Sequence, residues 1–76
     1  MSATFALPAV EEVELAVYNM AGQKVVTLVQ GVRTAGAYAV RWDGLDGQGQ
    51  ALASGVYVYR LRAGSREQTQ KLLLLK

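Results

Sequence analysis

Two alternating apolar stretches flank a glycine- and aspartate-rich turn in residues 38–61, and they constrain this chain more than any other feature. Tyr38, Val40 and Trp42 share one face of the first stretch; Tyr57, Tyr59 and Leu61 share one face of the second. Side chains two apart on a strand point the same way, so each stretch turns an apolar face to a core and a different face outward. Nothing in the run is catalytic. It defines a small β-module.

The rest of the chain extends the same pattern. Residues 4–7 form a first short extended piece ended by Pro8, which has no N–H to give to a ladder and suits an edge. Residues 12–18 alternate, with Val13, Leu15 and Val17 on one face and Glu12, Glu14, Ala16 and Tyr18 on the other. A turn follows at residues 19–22, where Asn19 and Gly22 tolerate positive φ. Residues 24–29 are a third strand whose Val25, Val26, Leu28 and Val29 do not alternate strictly, which predicts a bulge or twist. Residues 37–42 and 55–63 are strands, 51–53 at best a very short one, and 67–75 the last, after a turn at Gly64-Ser65-Arg66. About seven strands at this spacing predict an all-β antiparallel sandwich or barrel. The predicted core is Val13, Leu15, Val17, Val40, Trp42, Tyr57, Tyr59 and Leu61.

Composition narrows the function classes. The chain has 76 residues, enough for one small domain, and its 51% hydrophobic content excludes a wholly disordered chain. With no cysteine there is no disulfide, and with no His or Cys there is no histidine-based acid–base site, no Cys–His nucleophile and no ordinary zinc site. Asp43 and Asp46 sit on one turn, whereas a carboxylate pair for hydrolysis needs two groups across a cleft. The chain is therefore read as no enzyme and as needing no cofactor. The loop from Asp43 to Gly49 lacks the alternating ligands and closing Glu of a calcium loop, so its carboxylates are read as acceptors for turn N–H groups.

A net charge of +2 is too small to imply nucleic acid, and parity separates Tyr57 and Tyr59 from Arg60 and Arg62. No apolar run approaches the roughly 18 residues of a spanning helix, so no membrane insertion is expected. The start lacks a basic segment followed by a long apolar one, so no secretory signal is read there. Met1-Ser2 is compatible with a start placed on a domain taken from a longer chain, in which case that lack says nothing.

In order, the pattern runs Leu15-x-Val17-Tyr18-Asn19-x-x-Gly22-Gln23-x-Val25, Gly36, Trp42-Asp43-Gly44, Gly55-Val56-Tyr57-x-Tyr59-x-Leu61, and Lys71 to Lys76. It resembles the C-terminal domain of proteins exported by the bacterial type IX secretion system. It is equally similar to the immunoglobulin-like domain named after the flagellar hook-capping protein. The resemblance implies a single immunoglobulin-like β-sandwich over residues 1–76, the C-terminal module of a longer protein that is secreted or held at the cell surface after export through the periplasm of a Gram-negative-type bacterium. It further implies a sorting signal recognised by an outer-membrane translocon and a sortase-like peptidase. Members of that family usually carry an Asn-Pro-rich stretch just before the first strand, and this chain begins too late to show one.

The resemblance carries Gly55, Tyr57, Lys71 and Lys76 over as expected partner-recognition residues, and the terminal strand itself adds Leu72, Leu73, Leu74 and Leu75. Their physical support is the loss of alternation in the last strand, where four leucines place apolar side chains on both faces. Either both faces are covered within the sandwich or by a neighbouring loop, or the strand is a docking edge to which another chain adds, including a second copy. The alternative function is a structural or adhesive immunoglobulin-like spacer of a larger extracellular protein, contacting the parent's upstream domain. A carbohydrate-binding module would require Trp42 or a tyrosine exposed on a flat face.

Overall fold

A computed structural model describes residues 2–75. Among these residues six strands form: β1 (Ser2–Leu7), β2 (Glu11–Tyr18), β3 (Lys24–Arg33), β4 (Gly36–Arg41), β5 (Gly55–Ala63) and β6 (Arg66–Leu74). They make two antiparallel sheets, a narrow one of β1 and β4 and a wide one ordered β3-β2-β5-β6. The chain crosses between the sheets after β1, β3 and β4, and the β2–β3 and β5–β6 connections are hairpins. This is the expected all-β immunoglobulin-like sandwich with one strand fewer. Residues 51–53 do not form a strand: Ala51 makes only an isolated bridge to Leu45, because the segment is spent closing the loop between β4 and β5.

The bulge in β3 lies where alternation fails. Leu15 pairs with Val29 but Ala16 with Thr27, and Val17 pairs with Val26 but Tyr18 with Lys24. Leu28 and Val25 are therefore extra residues, and Val25, Val26, Leu28 and Val29 are all half-buried. At the 19–22 turn Gly22 takes positive φ. Asn19 does not; its side-chain oxygen accepts N–H bonds from Ala21 and Gln23 instead, an Asx-type closure.

Val13, Leu15 and Val17 carry the most enclosed side chains and fill the space between the sheets. Burying each in full is worth about 1.5–3 kcal/mol. One cluster gathers Ala3, Leu7, Val13, Leu15, Leu61 and Ala63; a second gathers Val17, Trp42, Tyr57 and Leu74. Tyr59 packs against both, half-buried, as does Val40 against the first. Trp42 meets Tyr57 edge-on with ring centroids 5.5 Å apart, a favoured aromatic geometry. Three small residues are buried outside the expected core set: Ala3 in β1, Ala63 at the end of β5, and Ala16, which lies on the outer face between its paired neighbours Arg60 and Thr27.

Candidate interaction surface

The register of the β5–β6 hairpin decides what the terminal strand offers. Gly64, at φ 59°, takes the first central position of a two-residue turn that pairs Ala63 with Arg66. From there Tyr57 faces Leu72 and Gly55 faces Leu74 on the inner side, while Val58 faces Lys71 and Val56 faces Leu73 on the outer side. The expected recognition residues accordingly divide. Tyr57, Leu72 and Leu74 belong to the core or its margin, and Gly55 is half-buried. Lys71, Leu73 and Leu75 are exposed, and Lys76 lies outside the described residues. The loss of alternation thus ends in two inward leucines and two exposed ones, Leu73 at 51% and Leu75 at 74%. Leu73 and its partner Val56 make a small apolar pair on the open face, below the size that marks an interface by itself.

The polar side chains singled out in the sequence are engaged locally. The Tyr57 hydroxyl donates to the Ala53 carbonyl at 2.7 Å, and the Trp42 indole N–H donates to the Leu45 carbonyl at 3.0 Å. Trp42 is buried, so it offers no flat stacking face for a sugar. One Asp43 oxygen accepts the Leu45 N–H, and one Asp46 oxygen accepts those of Gln48 and Gln50. Both carboxylates thus hold the loop. On the outer face Arg60 stacks over the Tyr18 ring at 4.9 Å and donates to its hydroxyl at 2.7 Å, a cation–π contact that covers the sheet. Lys24 donates to Glu14 at 2.9 Å. That hydrogen bond holds the Glu14 carboxyl below its ordinary pKa and raises that of Lys24.

The narrow sheet leaves the inner face of β6 uncovered at Gln68 and Gln70, whereas Leu72 and Leu74 further along are packed. A groove of about 350 Å³ opens between β1 and β6, lined by Phe5, Tyr59, Leu61, Gln68 and Gln70. Tyr59 donates to the Gln70 side chain at 2.5 Å across its floor. Gln68, Thr69 and Gln70 are exposed, and no described strand pairs with the far side of β6. These residues were not singled out in the sequence. The turn expected over Gly64-Ser65-Arg66 is a two-residue one, since Arg66 already pairs with Ala63, and that length fixes which backbone groups of β6 point outward.

A sandwich of this topology, with Trp42, Tyr57, Asp43 and Asp46 bonded to its own backbone, defines a small immunoglobulin-like domain. The model of the FlgD Ig-like domain family matches residues 1–67, and this chain belongs to that family. Its fold is similar to that of FlgD from P. aeruginosa, with 27% sequence identity and a TM-score of 0.71 over 95% of this chain. The match covers 57% of the FlgD chain, so the present chain spans little more than half the length of that structure. No curated protein sequence matches.

These matches correct the sorting-signal reading. They fall on the FlgD Ig-like domain and not on a type IX sorting domain. The physical reason lies in the residues that carried the resemblance. Trp42, Tyr57, Leu61 and the glycines of the turns build the sandwich itself, so they are shared by domains with the same scaffold and do not distinguish one use of it from another.

Proposed function

We propose that this domain is a non-catalytic structural module, an immunoglobulin-like spacer within a larger extracellular protein. The observation that supports it best is where its reactive side chains are spent. The Trp42 indole, the Tyr57 hydroxyl and the carboxylates of Asp43 and Asp46 each bond to backbone within a few residues. Groups used in this way stiffen a loop and are not free to turn over a substrate. Membership of the FlgD Ig-like family and the partial coverage of the FlgD chain fit a module that works as a piece of a longer chain.

The test is replacement in the parent protein. An unrelated sandwich of similar length in place of this domain should preserve the parent's location and activity, while outright deletion should impair its assembly. Loss of activity on replacement, with the substituted domain folded, would count against a spacer and favour a specific contact made by this surface.

A further inference from the structure

The two edges of the wide sheet are not equivalent. On β3 the edge is bulged twice, and the Gly47 N–H donates to the Val25 carbonyl at 3.0 Å, so the loop between β4 and β5 covers part of it. On β6 the pairing with β5 runs without a register shift from Arg66 to Leu74, and no described strand or bridge covers the far side. A regular, uncovered edge is a template for another strand.

The direction of its free groups follows from the hairpin. The Gly64 N–H donates to the Glu12 carbonyl of β2, so even-numbered residues of β5 turn their backbone groups toward β2 and odd-numbered ones toward β6. In β6 the residues paired with those odd positions are Arg66, Gln68, Gln70, Leu72 and Leu74. Glu67, Thr69, Lys71 and Leu73 therefore present their N–H and C=O groups to the open edge.

We propose that β6 pairs with β6 of a second copy of this chain, antiparallel about a two-fold axis at Thr69, to give a continuous sheet across a symmetric dimer. Charge complementarity selects both the occupant and the register. With the axis at Thr69, each Glu67 lies opposite the other copy's Lys71, and each Gln68 opposite the other copy's Gln70. An axis at Glu67 or Lys71 would set like charges against each other. An axis at Gln68 or Gln70 would leave both charges opposite uncharged residues. Glu67 already lies 3.7 Å from Arg62 in its own sheet, so the pairing completes a row of alternating charge on the outer face. On the inner side the exposed glutamines gain amide partners where the narrow sheet gives them no cover. The isologous geometry closes after two copies, because the only open β6 edge of each chain is used. This dimer stands or falls independently of the spacer role.

Sedimentation of the 76-residue chain up to about 1 mM should show a monomer–dimer equilibrium and no larger species. Thr69→Pro should abolish the dimer and leave the circular dichroism spectrum unchanged, since its N–H faces away from β5. Glu67→Lys and Lys71→Glu should each raise the dissociation constant about tenfold, because each alters two symmetric pairs. The double exchange should bring it back to within about threefold of the parent, as the same pairs reform with reversed sign. Hydrogen exchange at Glu67, Thr69 and Lys71 gives a second readout and should slow as concentration rises. A chain that remains monomeric, including one whose β6 is taken by a different protein, overturns the proposal. So does an open polymer, a Thr69→Pro chain that is folded and still dimeric, or a double exchange no tighter than the single variants.

Discussion

The β3 edge and the β6 edge of the same sheet meet the hazard of unpaired backbone by different means. At β3 the chain spends geometry: two extra residues break the register, and the loop between β4 and β5 donates a hydrogen bond to Val25. At β6 the ladder is regular and the protection is charge, with Glu67 and Lys71 among the residues that face the open side. Bulging blocks every incoming strand alike. Charge blocks most registers and permits a complementary one, so it discriminates where a bulge only excludes.

Breaking the anchor of the loop that covers β3 should have the largest effect. Trp42→Ala removes the centre of the second core cluster and the indole bond to Leu45, and should cost about 3–5 kcal/mol by thermal or denaturant unfolding. For a domain this small that is a large part of its total stability. Gly44→Ala comes next. Gly44 has φ 81°, and an added Cβ would lie 3.1 Å from a Leu74 methyl, so a loss of about 1–3 kcal/mol is expected from backbone strain and crowding. Both substitutions should also speed amide exchange along β3, whose cover depends on the loop, and at the end of β6, where Leu74 packs in the Trp42 cluster beside Gly44.

Asp46→Ala sharpens the comparison with less collateral damage. It removes the acceptor for the Gln48 and Gln50 N–H groups while leaving the core untouched, and should cost about 1 kcal/mol. If the loop guards the β3 edge, the variant should aggregate faster on mild heating. Equal aggregation of variant and parent would show that the bulges suffice.

The smallest effect is the pH dependence of the Glu14–Lys24 pair that ties β2 to β3. Glu14 is held below its ordinary pKa by the Lys24 hydrogen bond, so its contribution is complete above the unfolded pKa of about 4.3 and fades as pH falls below it. Lys24 is raised, so its contribution is present through neutral pH and is lost only at strongly alkaline pH. Unfolding of Glu14→Gln should show a shallower acid limb than the parent and no difference near neutrality in slope with pH.

Much of the fold was legible because alternation is a local signal. Val13, Leu15 and Val17 had to share a face, and so did Tyr57 and Leu61; the failure of alternation in residues 25–29 marked the bulges. The Asp43–Gly49 loop was legible as a turn because Asp and Gly side-chain chemistry acts over a few residues. The fifth strand was misjudged because its fate depended on a bridge to Leu45, a contact that the apolar pattern of residues 51–53 does not specify. The use of the domain was misjudged for a different reason. The residues that carried the resemblance are those that build an immunoglobulin-like sandwich, and packing residues report the scaffold rather than its partner.

What the amino-acid order determined alone was six of the strands, their inward faces and the turns between most of them, since these follow from a two-residue period and from glycine, asparagine and aspartate in the loops. What only the tertiary structure decided was which strands became neighbours. Putting β1 with β4 alone made the second sheet narrow, left Gln68 and Gln70 without cover, and placed β6 at an edge. In the middle of a sheet the same strand would have both edges paired and no backbone groups left open. Sheet order is set by contacts between residues far apart in the chain, whose summed burial energy no local window contains.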